Sequence, residues 1–445
     1  MMKSIARRCR PTGVMVGGLA LVLSMTALNR AIAAKPDAES TPVAVWGVPR
    51  SDAGASGYVR HSLPTDMSLI WESETDEAIE TTPAIDPTAV YVADVMGGVE
   101  ALDRSSGKRL WRRELDTGFV ASPSLLSPDV VLAQGTAFPI LSGDDAMTDQ
   151  VVASAREKLP QRITPRLLLG DVEGNVWSLD PQSGTTQWQQ TVDGEISSAV
   201  SFFAIVSAAS SNDDSANVAL RVLVTSQDGK LRCLDADDGT MIWEYATNDQ
   251  IRCGASIGSG KTFLGGCDGS LHIIDLVTGQ SVGEPLPLGG PTGSTPAIDG
   301  DDVFVPIMDG LAYRFSIQTG EAVWMFEDDS PQDFRGDAAI ADDRIILASR
   351  SKQVFALSRQ TGEVIWESTL KRRPDASPLI VGEDVWVASS DGRLARLALS
   401  DGRETWSYEI RGSFIASPAI LGDRLIIADD DGVVRCFGPQ ESPQG

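Results

Sequence analysis

Apolar and polar residues alternate over short runs along this chain. The runs come in pairs around an Asp-Gly dipeptide, as in "RVLVTSQDGKLRCLD", "KTFLGGCDGSLHIID", "DVWVASSDGRLARLA" and "RLIIADDDGVVRCFG". A period of two predicts half-buried strands. Asp-Gly between them predicts a tight hairpin, because such a turn needs a positive φ that Gly tolerates. Upstream of each pair lies a phrase of small residues: "TTPAI", "ASPSL", "SSAVS", "GASIG", "STPAI", "GDAAI", "ASPLI" or "ASPAI". Downstream comes Asp-x-x-Ser/Thr-Gly-x-x-x-Trp, as in "ALDRSSGKRLW" and "SLDPQSGTTQW", with Ser for Asp in "ALSRQTGEVIW". Each unit therefore predicts four short strands in about 40 residues, the spacing of a propeller blade.

The tryptophans act as a ruler. They fall at Trp71, Trp111, Trp188, Trp243, Trp324, Trp366 and Trp406, and Gly283 stands where an eighth is due. The turn glycine supplies a left-handed backbone. The indole four residues on is expected on the outermost strand, where it fills the wedge between blades and finds a partner for its N–H. These seven are read as structural, blade-docking residues. The first outer strand, "LIWESE", has no strands before it, and the last inner set has no outer strand after it. One completes the other. The expected fold is an all-β, eight-bladed propeller of four-stranded antiparallel blades, closed by the N-terminal outer strand joining the C-terminal blade.

The propeller is expected over residues 66–439, with an insertion at 133–166 that holds an amphipathic helix, and a tail at 440–445. Residues 35–65 are rich in Ala, Ser, Pro and Gly and read as a flexible linker. Residues 1–34 read as a cleaved signal peptide: a basic front at Lys3, Arg7, Arg8 and Arg10, an apolar run from Gly13 to Met25, and small residues at Ala31-Ile32-Ala33. The run is shorter than the ~20 residues that span a bilayer. A periplasmic or secreted protein with no transmembrane helix in the mature chain follows.

Charge narrows the partners. The formal net charge is −25, and it becomes −30 without the five cations of residues 1–34. Such a surface repels phosphate backbones, so nucleic acid is not an expected partner. Two histidines, His61 and His272, leave little for a His-based metal centre. The acidic runs "DADDG" and "ADDDG" lack the ligand alternation of a calcium loop and coincide with repeat turns. Cys253 and Cys267 flank a turn centred on Gly260 and are a possible disulfide, while Cys233 and Cys436 share a column of distant blades and read as buried free thiols. No catalytic or metal-ligating residue is assigned.

The repeated Asp-x-x-Thr-Gly-x-x-x-Trp with Asp-Gly hairpins resembles the pyrroloquinoline quinone (PQQ) type repeat over about residues 66–439. That repeat builds the eight-bladed propellers of quinoprotein alcohol dehydrogenases and of the non-enzymatic BamB family of outer-membrane assembly lipoproteins. The enzyme branch implies PQQ under an adjacent Cys-Cys disulfide, a calcium ion and a catalytic Asp; this chain has no Cys-Cys. The BamB branch fits the length, the blade count and the envelope address. It departs in the absence of a lipid-anchor Cys after the apolar run. No cofactor is expected, and PQQ with calcium belongs to the alternative reading alone.

Loops leading from an outer strand to the next inner strand gather at one channel mouth. They carry Arg252, Arg335, Arg372, Arg373 and Arg411, with Phe119, Phe334 and Phe414. In an acidic protein this cluster is the candidate partner site, Arg clamping anionic groups and Phe anchoring; the alternative is that each Arg pairs with a nearby Asp and each Phe plugs a gap between blades. The expected function is a monomeric, non-catalytic binding or assembly module with an envelope protein or peptide partner. The alternatives are a quinone-dependent oxidoreductase or quinone-binding relic, and a glycan-binding or sensory ectodomain.

Overall fold

Eight small sheets are arranged in a closed ring in the computed structural model, which describes residues 45–134, 138–142, 149–207, 217–329 and 332–439. The signal peptide and the tail expected from the sequence lie outside these residues. Blades 1 to 7 occupy residues 84–114, 124–191, 201–246, 256–287, 297–327, 339–369 and 379–409. Blade 8 joins Met67–Glu74 to the strands of 419–439. In that blade Met67 lies opposite Pro439 and Trp71 opposite Cys436, so the two ends of the chain share one sheet. The innermost strands of blades 4, 5, 6 and 7 neighbour one another in turn, and that of blade 1 meets those of blades 2 and 8.

The burial of each strand explains its composition. Second strands such as Ala89–Ala93 and Asp384–Ala388 are buried throughout, because blades pack on both faces. Fourth strands such as Val364–Thr369 bury mainly the tryptophan. Among the described residues no helix is long and apolar enough to cross a membrane.

The linker expectation needs correcting from residue 45 onward. Residues 45–63 run around the inside of the ring, bonded to the ends of the innermost strands. Trp46 and Ile85 exchange two backbone hydrogen bonds of 2.8 Å. The N–H groups of Leu125, Ile257, Ile298, Ile340 and Ile380 then donate in turn to the carbonyls of Gly47, Ala53, Gly54, Ser56 and Gly57. Tyr58–Val59 pairs in parallel with Ile380–Val381, and His61 Nε2 lies 2.6 Å from the Gly422 carbonyl in blade 8. An inner strand edge left open would strand backbone donors away from water, and this belt satisfies them. Small residues suit it because it lies hard against the inner strands: a Cβ on Gly47 would sit 2.8 Å from the Leu125 carbonyl oxygen and one on Gly54 2.7 Å from that of Ile298, so its composition imitates a tether.

Blade 3 is served differently. Ile140–Ser142, from the insertion, lies parallel to its innermost strand and takes the belt's place. Helix α1 (Pro128–Gln134) leads into the insertion, which carries helix α2 (Asp149–Lys158) within the stretch expected to be helical.

Candidate functional site

The small-residue phrases form the wall of the central channel. One position in each phrase recurs round the ring: Thr82, Ser122, Ser198, Gly254, Thr295, Asp337, Ser377 and Ser417. Around most of the ring its side chain accepts from the backbone N–H of the preceding blade's equivalent. Thr82 donates to Ser122 Oγ (2.9 Å), Gly254 to Thr295 Oγ1 (3.1 Å), Thr295 to Asp337 Oδ1 (2.7 Å), Asp337 to Ser377 Oγ (2.9 Å) and Ser377 to Ser417 Oγ (3.0 Å). This belt of short polar side chains ties blade to blade without any bulk.

Asp337 is the ionisable member, and the belt supplies its cation. Arg50 is 5% exposed, with Nε 3.6 Å from Asp337 Oδ2. Its Nη1 and Nη2 donate to the carbonyls of Pro378 and Ala338 at 2.5 and 2.8 Å. Arg50 and Ser51 hold φ of +70° and +76°, a left-handed turn that aims the guanidinium inward and costs such residues about 1 kcal/mol each. Burial pushes the Asp337 carboxyl above the ordinary carboxylate range, and Arg50 opposes that rise. A cavity of about 200 Å³ remains beside this pair, lined also by Glu80, Asp375, Ser122 and Ser417. The sequence reading missed Arg50. The available signal was one Asp in a column of hydroxyls, which asks for a cation from elsewhere.

All five candidate arginines are exposed on the inner loops. Arg335 and Arg373 belong to a chain of alternating charge: Arg335–Asp333 (3.2 Å), Asp333–Arg350 (3.8 Å), Arg350–Asp375 (2.8 Å) and Asp375–Arg373 (3.2 Å). Both still expose about half of their side chains, 50% and 54%. Arg252 donates to Gln250 Oε1 at 3.2 Å. Arg372 and Arg411 form no ion pair among the described residues. Arg350, from a hairpin tip, is the linking cation, and the sequence reading passed over it because it lies in a turn rather than an inner loop.

The phenylalanines are a correction. Phe119, Phe334 and Phe414 are each 0% exposed, so none can anchor a partner. Their backbone N–H groups donate to the carbonyls of Asp94, Ile307 and Ser389 in the preceding blade. Phe334 packs against Phe326 and Phe355, with ring centroids 6.5 Å apart in each case. They are plugs between blades.

The possible disulfide is also corrected: Cys253 and Cys267 are free thiols. The hairpin pairs Gly258 with Lys261 and Ser256 with Phe263, which centres the turn between Ser259 and Gly260. That register is one residue off the expected one, and a one-residue slip sends alternate side chains to opposite faces. Cys253 Sγ instead donates to the Gly265 carbonyl at 3.1 Å. Burial pushes the thiols of Cys233, Cys253 and Cys436 up to about 12.

The seven tryptophans sit between blades. Each indole N–H donates to a backbone carbonyl of the next blade, at 2.8 Å for Trp366 with Leu399 and 3.3 Å for Trp243 with Leu276. Trp406 donates to Met67 in the closing strand at 3.2 Å.

A quinone with calcium does not fit these residues. The axis holds Arg50, tied to two backbone carbonyls, and in the column the hydroxyls of Ser122, Thr295, Ser377 and Ser417 are engaged in blade-to-blade bonds. The carboxylates of the acidic runs serve their own turns: Asp429 Oδ1 accepts from Asp431 and Val433, and Asp235 Oδ1 from Asp237. Among the described residues no group of three or more His, Cys, Asp or Glu could hold a metal ion.

Known proteins agree with this architecture. The family model of the outer membrane protein assembly factor BamB matches residues 55–219, 157–286, 227–380 and 369–441. BamB of Yersinia pestis is 25% identical over 340 residues, spanning 70% of this chain and 74% of its own length. BamB of Nitrosomonas eutropha is 27% identical over 276 residues, 58% of this chain and 54% of its own. The crystal structure of BamB from Moraxella catarrhalis has a TM-score of 0.61 at 17% identity, covering 85% of this chain and 99% of its own. Quinohemoprotein alcohol dehydrogenase from Comamonas testosteroni reaches 0.62 at 11% identity, covering 92% and 83%. The structural likenesses speak to the fold, which enzymes and non-enzymes share. The sequence match is more selective, and with the family model spanning the propeller from its inner belt to its last strand, the chain belongs to the family of the outer membrane protein assembly factor BamB.

Proposed function

We propose that this protein is a non-catalytic binding module of the bacterial envelope, which holds a protein or peptide partner during outer-membrane assembly. Family membership supports the class of function. The partner site is read at the channel mouth that carries Arg252, Arg335, Arg372, Arg373 and Arg411. The observation that carries it is a concentration of exposed cations in a chain of net charge −25, with Arg372 and Arg411 unpaired among the described residues. A partner that presents carboxylates along an extended segment would meet several guanidinium groups at once. Export through the N-terminal segment and a periplasmic address complete the reading.

The test replaces Arg335, Arg372 and Arg411 with Glu and compares envelope proteins captured by crosslinking. Reversing three exposed charges is expected to reduce partner capture roughly tenfold or more, with the melting temperature nearly unchanged. Full capture by the triple variant would remove the channel mouth as the site. Calorimetric titration with PQQ, with and without calcium, is expected to give no saturable heat; calcium-dependent binding would return the quinone reading.

A further inference from the structure

Six gaps between blades contain the same joint. The indole on one blade's outermost strand lies on the turn glycine of the next blade, so close that a Cβ there would sit 2.5–2.8 Å from the ring. The glycines are Gly107, Gly184, Gly239, Gly279, Gly362 and Gly402. The indole N–H donates to the carbonyl three residues before the glycine, from Trp71 with Arg104 to Trp366 with Leu399.

Between blades 4 and 5 only the receiving half is present. Gly320 holds φ +67°, like its counterparts. The carbonyl of Ile317 stands at the acceptor position, and among the described residues it accepts no hydrogen bond. Its peptide is held in place by the Ile317 N–H, which donates to Asp301. Blade 4 offers Gly283 where the indole belongs. A Cβ on Gly320 would meet only Leu286 Cδ2, at 3.9 Å. The fourth strand of blade 4 is reduced to Leu286–Pro287, against six residues in blades 3 and 5. Val282 on the rim of blade 4, and Val323 and Met325 on the fourth strand of blade 5, are 39%, 47% and 52% exposed.

We propose that this half-built joint is a docking slot for a tryptophan carried on an extended segment of a partner protein. The chain itself specifies the occupant. Six internal copies show what the receiving surface takes: a flat aromatic face against a bare glycine, and one N–H for the carbonyl three residues earlier. Phenylalanine would lack the donor and leave Ile317 without a partner. The shortened edge of blade 4 leaves room for the segment, and the exposed Val and Met side chains give it apolar contact. The inference rests on the protein-binding reading but uses a surface other than the arginine mouth.

The probe is a synthetic peptide of the chain's own residues 362–369, GEVIWEST, beside its Trp366→Ala form. Each is titrated into the full mature chain, with heat and backbone amide shifts recorded. Saturable binding of the Trp peptide is expected, with shifts at Ile317, Gly320 and Leu286, and roughly tenfold weaker binding without the indole. Gly320→Ala puts a Cβ in the ring's space and is expected to reduce binding by a similar factor. Leu286→Trp, which fills the slot from within, gives the same result should the first variant fold poorly. Absence of saturation, equal affinity for both peptides, or undiminished binding to both variants overturns the proposal. No envelope partner enters this titration, so its failure leaves the arginine-mouth reading standing, and failure of the arginine test leaves the slot.

Discussion

At the scale of single residues, the Gly-x-x-x-Trp phrase is one half of each of two joints. The tryptophan serves the gap after its own blade, and the glycine serves the gap before it. The turn and the outer-strand place of the indole were legible from the spacing; that the glycine seats the indole of the preceding blade was not, because the spacing within one repeat does not show what the neighbouring repeat lays on it. The division also ranks substitutions. Gly362→Ala meets both the left-handed backbone, at φ +73°, and the Trp324 ring 2.8 Å away. Gly320→Ala meets the backbone penalty alone. The first should cost about 3 kcal/mol and the second about 1 kcal/mol. Urea midpoints at equal m-values test this; equal losses would mean the indole yields freely. The phenylalanines were not legible in the same way, since residue type does not distinguish a plug between blades from a surface anchor. The thiols give a second check. With Cys233, Cys253 and Cys436 pushed up to about 12, almost no thiolate exists at neutral pH. Of these three and Cys267, only Cys267 is partly exposed, so it alone should label quickly with a thiol reagent in the folded protein. A mass that shows a Cys253–Cys267 bridge before reduction would contradict the free-thiol structure.

The inner belt belongs to the scale of elements. Residues 45–63 contact strands up to about 360 positions away, and no local pattern announces such partners; only the lone Asp337 among hydroxyls hinted at them. Arg50 is the belt's charged tie. Arg50→Met leaves Asp337 buried without its cation and should cost about 3 kcal/mol. Adding Asp337→Ser restores the hydroxyl column and should recover most of that loss. Strict additivity of the two changes in denaturant midpoints would show that the pair is not coupled. The pH dependence has a definite sign. A carboxyl whose folded pKa is raised binds its proton more tightly in the folded state, so stability is lost as pH rises through that folded pKa. Without Arg50 to oppose the rise, the deficit of Arg50→Met should be larger at about pH 8 than at about pH 5.

Closure decides the behaviour of the whole molecule. Blade 8 is incomplete until the strand Met67–Glu74 pairs with Val433–Pro439, and that one strand serves both neighbouring gaps. Its Met67 carbonyl accepts from Trp406 of blade 7, and its Trp71 lies on Gly107 of blade 1. Its removal therefore breaks two joints and bares the edge of Val433–Pro439, a ready template for pairing with another copy. Removal of the belt alone leaves the ring closed. A chain that begins at residue 65 should keep one cooperative transition with a lowered midpoint. A chain that begins at residue 79 should unfold in a broad, non-coincident manner by fluorescence and circular dichroism, and should self-associate in sedimentation. A synthetic peptide of residues 66–78 supplies the missing strand in trans. It should return the shorter chain to a monomer and raise its midpoint in proportion to the logarithm of excess peptide. A monomeric residue-79 chain with a single unshifted transition would show that the ring is held by its blade faces alone and that the shared sheet is dispensable.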